Sequence, residues 1–185
     1  MRRLIMEDLS LHILDIAENS IAAGARTIAI TICEDTAADV LSVEITDDGR
    51  GMEPEAAARA VDPFYTTRTT RRVGLGLSLL EEAATAADGT LAIRSAPGAG
   101  TTIGATFRLS HVDRKPLGAI ADTVAALVST HARVNILYTH RRDDRSFVFD
   151  TQEIQRQTEG ASLNTAEALS VIREYLLREE DTLAR

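Results

Sequence analysis

Cys33 is the only cysteine in this 185-residue sequence, so no disulfide can form within the chain and a reducing compartment is implied. It falls in the run Thr-Ile-Ala-Ile-Thr-Ile-Cys and reads as an inert, buried strand thiol. Long hydrophobic runs are also missing. Nothing approaches a membrane span, and Arg2 and Arg3 are followed by Glu7 and Asp8 rather than by an apolar leader. Positive charge is in deficit: the net charge of −8 weighs against a nucleic-acid partner, because neutralising phosphates takes a surplus of Lys and Arg. What is present, 44% hydrophobic and 26% charged residues, suits a globular protein with a cytoplasmic location and no membrane contact.

Hydrophobic spacing divides the chain into elements. Leu9, Ile13, Leu14, Ile16, Ala17 and Ile21 fill half of a helical wheel, which predicts a helix over residues 9–23. On that helix His12, Asp15 and Asn19 share a second, polar stripe. Alternation predicts strands over 27–33, 40–46, 90–95 and 101–109, with a short helix over 54–61 and another over 77–87. Residues 62–73, polar and rich in arginine, read as a mobile loop. From His111 onward the pattern is a helix (118–130), two strands (133–140 and 146–150) and a helix (165–178). Two regions result: 1–110, and a small α/β extension over 111–185.

Three clusters bear chemistry. Asn19 faces along the polar stripe, and an amide oxygen is a suitable hard ligand for magnesium; a solvated helix face is the plainer reading. Asp47-Asp48-Gly49-Arg50-Gly51 ends an apolar strand, where an aspartate can accept from an amino group such as that of adenine and glycines let a flat ligand come close. A simple strand-ending turn is the alternative. Gly74-Leu75-Gly76-Leu77-Ser78 opens a helix, whose unpaired amides suit phosphate, and Arg68, Arg71 and Arg72 precede it.

In order and spacing these clusters resemble the histidine-kinase/gyrase/mismatch-repair ATPase superfamily. Glu18 to Ala25 looks like its N box and Asp47 to Gly51 like its first glycine box. Asp62-Pro63-Phe64-Tyr65-Thr66-Thr67-Arg68 looks like the F box and lid of histidine kinases. Gly74 to Ser78 is similar to the second glycine box, and Gly100-Thr101-Thr102 to the closing Gly-Thr element. The resemblance covers about residues 9 to 109. It implies a Bergerat-type two-layer α/β sandwich, a mixed sheet with helices on one face. It also implies ATP and magnesium as ligands, with Asn19 holding the metal and Asp47 reading adenine. Gly49, Gly51, Met52, Phe64, Arg68, Gly74, Leu75, Gly76, Leu77 and Thr101 or Thr102 would complete the nucleotide site.

The same resemblance leaves the reaction open. Hydrolysing members use a Glu four residues before the Asn as general base; here that position is Asp15, one methylene shorter, so Asp15 is the candidate base and its reach is in question. The F box and lid look like the kinase branch, in which the pocket presents the γ-phosphate to a histidine elsewhere. Only eight residues precede Leu9, so the phosphoacceptor is expected from a partner protein or from the C-terminal region. A nucleotide-operated switch with little turnover, and an anti-sigma-type Ser/Thr kinase, are the alternatives. His12, on the stripe with Asp15, is a further catalytic candidate near the γ-phosphate. His111, His131 and His140 read as structural or solvated.

Residues 9–20 and the tail, with Asp113 to Gly118, Tyr138 to Arg141 and Phe149 to Thr151, look like stand-alone ATP-binding proteins associated with iron-only hydrogenase and NADH-dehydrogenase-like systems. That implies a regulatory partner in redox metabolism. The final helix, with Leu169, Ile172, Leu176 and Leu183, is expected to pack on the core, a homodimer or partner surface being the second reading.

Overall fold

The computed structural model describes residues 8–62 and 75–185. Asp8 starts the first helix: its side chain accepts from the amide of Leu11, filling one of the donors a helix leaves unpaired at its N-terminus. Helix α1 (Leu9–Ala22) is followed by strands β1 (Thr27–Asp35) and β2 (Val40–Asp47), a short helix α2 (Pro54–Ala58) and helix α3 (Leu75–Ala86). Strands β3 (Leu91–Ser95) and β4 (Thr101–Arg108), helix α4 (Ile120–Thr130), strands β5 (Asn135–Arg142) and β6 (Arg145–Asp150), and helices α5 (Thr151–Gln157) and α6 (Ala166–Ala184) complete the chain.

All six strands form one sheet in the order β3-β4-β2-β1-β5-β6. Every pairing is antiparallel except β1 with β5, where Thr27 to Glu34 run parallel to Asn135 to Arg142. Residues 111–185 therefore lengthen the sheet of the N-terminal region, and one hydrophobic core runs under both. Ile28, Ile30 and Ile32 of β1, Leu41, Val43 and Ile45 of β2, and Ile136 and Tyr138 of β5 point to the helices and are fully buried or nearly so. The opposite face carries Thr31, Ser42, Glu44, Ala92, Arg94, Thr102, Gly104 and Thr106 and forms a shallow concavity of about 320 Å³. The α/β sandwich with helices on one face is thus the observed architecture.

Two elements depart from expectation. Helix α5 breaks no apolar pattern because it has none; Asp150 caps it, accepting from the amides of Gln152 (2.8 Å) and Glu153 (3.4 Å). Helix α6 runs on to Ala184 because its last turns are tied to the sheet. Arg145 donates to the carbonyls of Thr182 and Leu183, and Glu180 is bonded to His140 and Tyr138. Cys33 corrects a smaller point: it is half-buried on the open face of β1, where the Arg141 guanidinium lies 3.0 Å from its sulfur, and not in the core.

Candidate functional site

Asp47 ends β2 with its carboxylate turned inward, 7% exposed. A buried carboxylate needs donors, and it has two: the Ser20 hydroxyl gives a 2.6 Å bond to Oδ2 and the Gly49 amide a 2.8 Å bond to Oδ1. Its neighbour Asp48 does other work. That carboxylate accepts from the amides of Arg26 (2.7 Å) and Thr27 (2.9 Å) and so fixes the start of β1. Partial desolvation opposes its ionisation, but these amides outweigh it and hold the group below the usual carboxylate range.

Beyond Asp47 the backbone turns at Gly51, with φ of 66°. A Cβ there would overlap the carbonyl oxygen of Ala96, so only glycine lets the loop lie against the β3–β4 turn. Ser95 ties the two together. Its hydroxyl accepts from the Met52 amide at 2.9 Å, donates to the Gly100 carbonyl at 3.0 Å, and lies 2.9 Å from the Thr101 hydroxyl. Thr101 pairs directly across from Asp47 and therefore shares its face.

From Ser20 the polar stripe of α1 leads away from this end. Asn19 donates from Nδ2 to Asp15 Oδ2 at 3.3 Å, which leaves its Oδ1 as the acceptor available to a hard cation. Asp15 in turn lies against the first turn of α3: a Cβ on Gly76 would overlap Asp15 Oδ2. A glycine at that point lets the start of α3, with its outward amides, approach the stripe. Leu77 is half-buried and packs toward the core. Glu18 is turned elsewhere and bonds His131 at 2.9 Å.

His12, the last residue of the stripe, is fully buried. Its Nε2 lies 3.1 Å from Lys115 Nζ. Burial, then the Lys115 charge, push its pKa down to about 4, with the Gly76 backbone and Asp8 acting the other way. The imidazole is therefore neutral, and Lys115, which has only protons to give, occupies its Nε2 lone pair. A neutral imidazole has one lone pair, and in His12 the Lys115 ammonium faces it.

A buried aspartate facing a glycine-shaped loop, and an Asn–Asp stripe leading to a helix N-terminus, make up the candidate site. Residues 5–111 match the model of the histidine kinase-, DNA gyrase B-, and HSP90-like ATPase family. The chain belongs to that family. Nucleotide binding follows from membership, and the residues present fit it: the aspartate is buried and the glycines stand where side chains would block.

Two relatives share part of this sequence. The chain is 38% identical over 110 residues to the sensor protein kinase FleS of Pseudomonas aeruginosa, covering 60% of this chain and 27% of that protein. It is 37% identical over 98 residues to the non-motile and phage-resistance protein of Caulobacter vibrioides, covering 50% of this chain and 12% of that protein. The chain thus spans only a small part of either relative. A crystal structure of the N-terminal domain of a DNA repair protein superposes with a TM-score of 0.57 at 16% identity, covering 80% of this chain and 53% of that one, which shows the shared fold.

In this ATPase-family chain Thr101 and Thr102 lie on opposite faces of β4. Thr102 pairs with Thr46, and their hydroxyls lie 3.1 Å apart on the open face of the sheet. Alternation along β4 puts Thr102 on the far side from Asp47, which leaves Thr101 as the β4 threonine on the Asp47 side. Phe64, Arg68, Gly74, the side chain of Leu75 and the loop over 63–73 lie outside the described residues. Ser20, Ser95 and Lys115 are site residues that the sequence did not mark. A serine in an apolar helix and a lysine in a polar linker carry no spacing signal, and only the fold brings them to the stripe. Among the described residues no helix is long and apolar enough to cross a membrane.

Proposed function

We propose that this chain binds ATP with magnesium and serves in signalling as a histidine-kinase-type catalytic module, handing the γ-phosphate to an acceptor on another protein. The reading puts adenine against Asp47, Gly51 and Thr101, magnesium on Asn19 Oδ1, and the phosphates along the stripe toward Gly76. Magnesium would neutralise phosphate charge; the chain's own residues orient the nucleotide and exclude water from it. Phosphoryl transfer needs mostly alignment and charge stabilisation, which such a rigid frame provides.

The observation that carries transfer over hydrolysis is the state of Asp15. Its Oδ2 is bonded to Asn19 and pressed against Gly76. A carboxylate used in this way orients the amide and is poorly placed to reach an attacking water as well. The partner is proposed to be a cytoplasmic protein, with a hydrogenase or NADH-dehydrogenase-like system as its setting.

A switch with little turnover is the second reading. It is favoured by the continuity of the sheet into residues 111–185, which would let a nucleotide state reach the far edge. Incubation with magnesium and γ-labelled ATP, following bound nucleotide and released phosphate, separates the readings. Tight binding with negligible release, and label appearing on an added partner, supports the kinase module. Binding without label on any partner supports the switch. Steady release abolished by Asp15→Asn makes Asp15 a general base and overturns both.

A further inference from the structure

Three polar side chains stand in a row across the sheet. Asp47 of β2 pairs with Thr101 of β4, and Thr101 pairs in turn with Ser95 of β3. Directly opposed residues share a face, so all three project from the side of the sheet on which Ser20 of α1 meets Asp47. The loops at this end are packed closely: a Cβ on Gly100 would overlap the Asp47 carbonyl oxygen, as one on Gly51 would overlap that of Ala96. The Gly98 amide also reaches the Arg50 carbonyl at 2.8 Å, so the loops have a tie that does not depend on Ser95.

One proton decides how this row is polarised. The Ser95 hydroxyl has a single hydrogen and two lone pairs. The Met52 amide can only donate and takes one lone pair at 2.9 Å. The Gly100 carbonyl can only accept and takes the hydrogen at 3.0 Å. Thr101 Oγ1, 2.9 Å away, is left the second lone pair and so donates its own proton to Ser95. The Thr101 oxygen thus has only lone pairs for any other neighbour. Asp47 offers the same: each carboxylate oxygen accepts one hydrogen bond, from Ser20 or from Gly49, and retains capacity for another.

We infer that Ser95 is a positioning residue for base selection: by taking the Thr101 proton it leaves Thr101 and Asp47 as two acceptors side by side. The inference rests on the ATP-binding reading above. The two protons of a purine 6-amino group match two acceptors, whereas a 6-oxo group meets them as a third acceptor and is repelled. Unpaired polar groups of this kind discriminate between ligands more strongly than a change in packing does. Ser95 acts through Thr101 and, by the Met52 amide, holds the Gly51 loop beside the same row.

The test uses the full chain with magnesium and measures by calorimetry the Kd of ATP, of ADP and of inosine triphosphate, which carries a 6-oxo group. The wild type should prefer ATP to inosine triphosphate. Ser95→Ala frees the Thr101 proton to meet the oxo group and should cut that preference about tenfold, the effect of one hydrogen bond. ATP and ADP should weaken together, since the change lies at the base. Ser95→Thr keeps the hydroxyl and should keep the preference. Thr101→Val should cut it as Ser95→Ala does, and adding Ser95→Ala to Thr101→Val should change it no further. Equal weakening of ATP and inosine triphosphate by Ser95→Ala would show a merely structural role and overturn the inference, as would a further loss of preference in the double variant. If the wild type binds no nucleotide, the ATP-binding reading fails first; if it binds ATP and inosine triphosphate alike, that reading stands and the inference falls.

Discussion

His140 provides the sharpest test of the energetics. It is buried in β5 (side chain 3% exposed) between two carboxylates, with Nε2 3.1 Å from Glu34 of β1 and Nδ1 2.8 Å from Glu180 of α6. Burial alone would lower its pKa, but the hydrogen bonds and charges of Glu180 and Glu34 prevail and raise it to about 9. The rise from 6.5 to about 9 makes the imidazolium worth about 3 kcal/mol to the folded state. Because the folded pKa is the higher one, that stability is fully present below pH 6.5 and is lost as pH rises through 9. Glu34 behaves oppositely: its hydrogen bond from His140 lowers its pKa, so its contribution stands above its unfolded value and is lost only in acid. Between pH 6 and 9.5, urea denaturation of the wild type should therefore lose about 3 kcal/mol more than that of His140→Gln. Tyr138, whose pKa is pushed up chiefly by burial and then by Glu180, enters only at higher pH. Equal pH slopes for the two proteins would refute the clamp.

The site makes three further predictions. Ser20→Ala leaves Asp47 Oδ2 without its 2.6 Å donor and should destabilise the fold by about 1–3 kcal/mol while weakening nucleotide binding, as read by calorimetry. Gly51→Ala forces a Cβ into the Ala96 carbonyl at a φ of 66°, so thermal melting should fall and nucleotide affinity with it. Thr101→Val should weaken nucleotide binding whereas Thr102→Val should not, since the two hydroxyls lie on opposite faces of the sheet; equal effects in titration would reverse the facing assigned to β4.

Much of this frame was legible in the chain because apolar periodicity is strong where the core is. Ile28, Ile30 and Ile32 alternate in the sequence as they do in the sheet, and the α1 wheel separates Ile13 and Ile16 from the Asp15–Asn19 stripe. Helix α5 escaped because Thr151–Gln157 offers only Ile154 as an apolar residue, and its cap, Asp150, also ends a strand. The pairing of β1 with β5 could not be read either: a parallel register across so long a separation leaves no local mark. At the site, Asp47 and Asp48 are adjacent and alike in sequence. Only their positions, one facing inward and one capping the amides of β1, give them separate tasks. The choice between Thr101 and Thr102 stays open in the sequence for the same reason, since a Thr-Thr pair does not announce which hydroxyl faces which side.

The parallel seam between β1 and β5 also bears on how the protein is made. Strands β1 to β4 leave the ribosome first, and until β5 arrives β1 stands as a bare sheet edge with unpaired amides and carbonyls. Closing the seam joins residues 27–34 to 135–142, a distant contact of the kind that slows folding. The nascent chain therefore passes through a period in which another copy's edge could take the place reserved for β5. Shortening the chain before Asn135 would make that interval permanent, leaving a fragment that holds most of the nucleotide site and is prone to self-association.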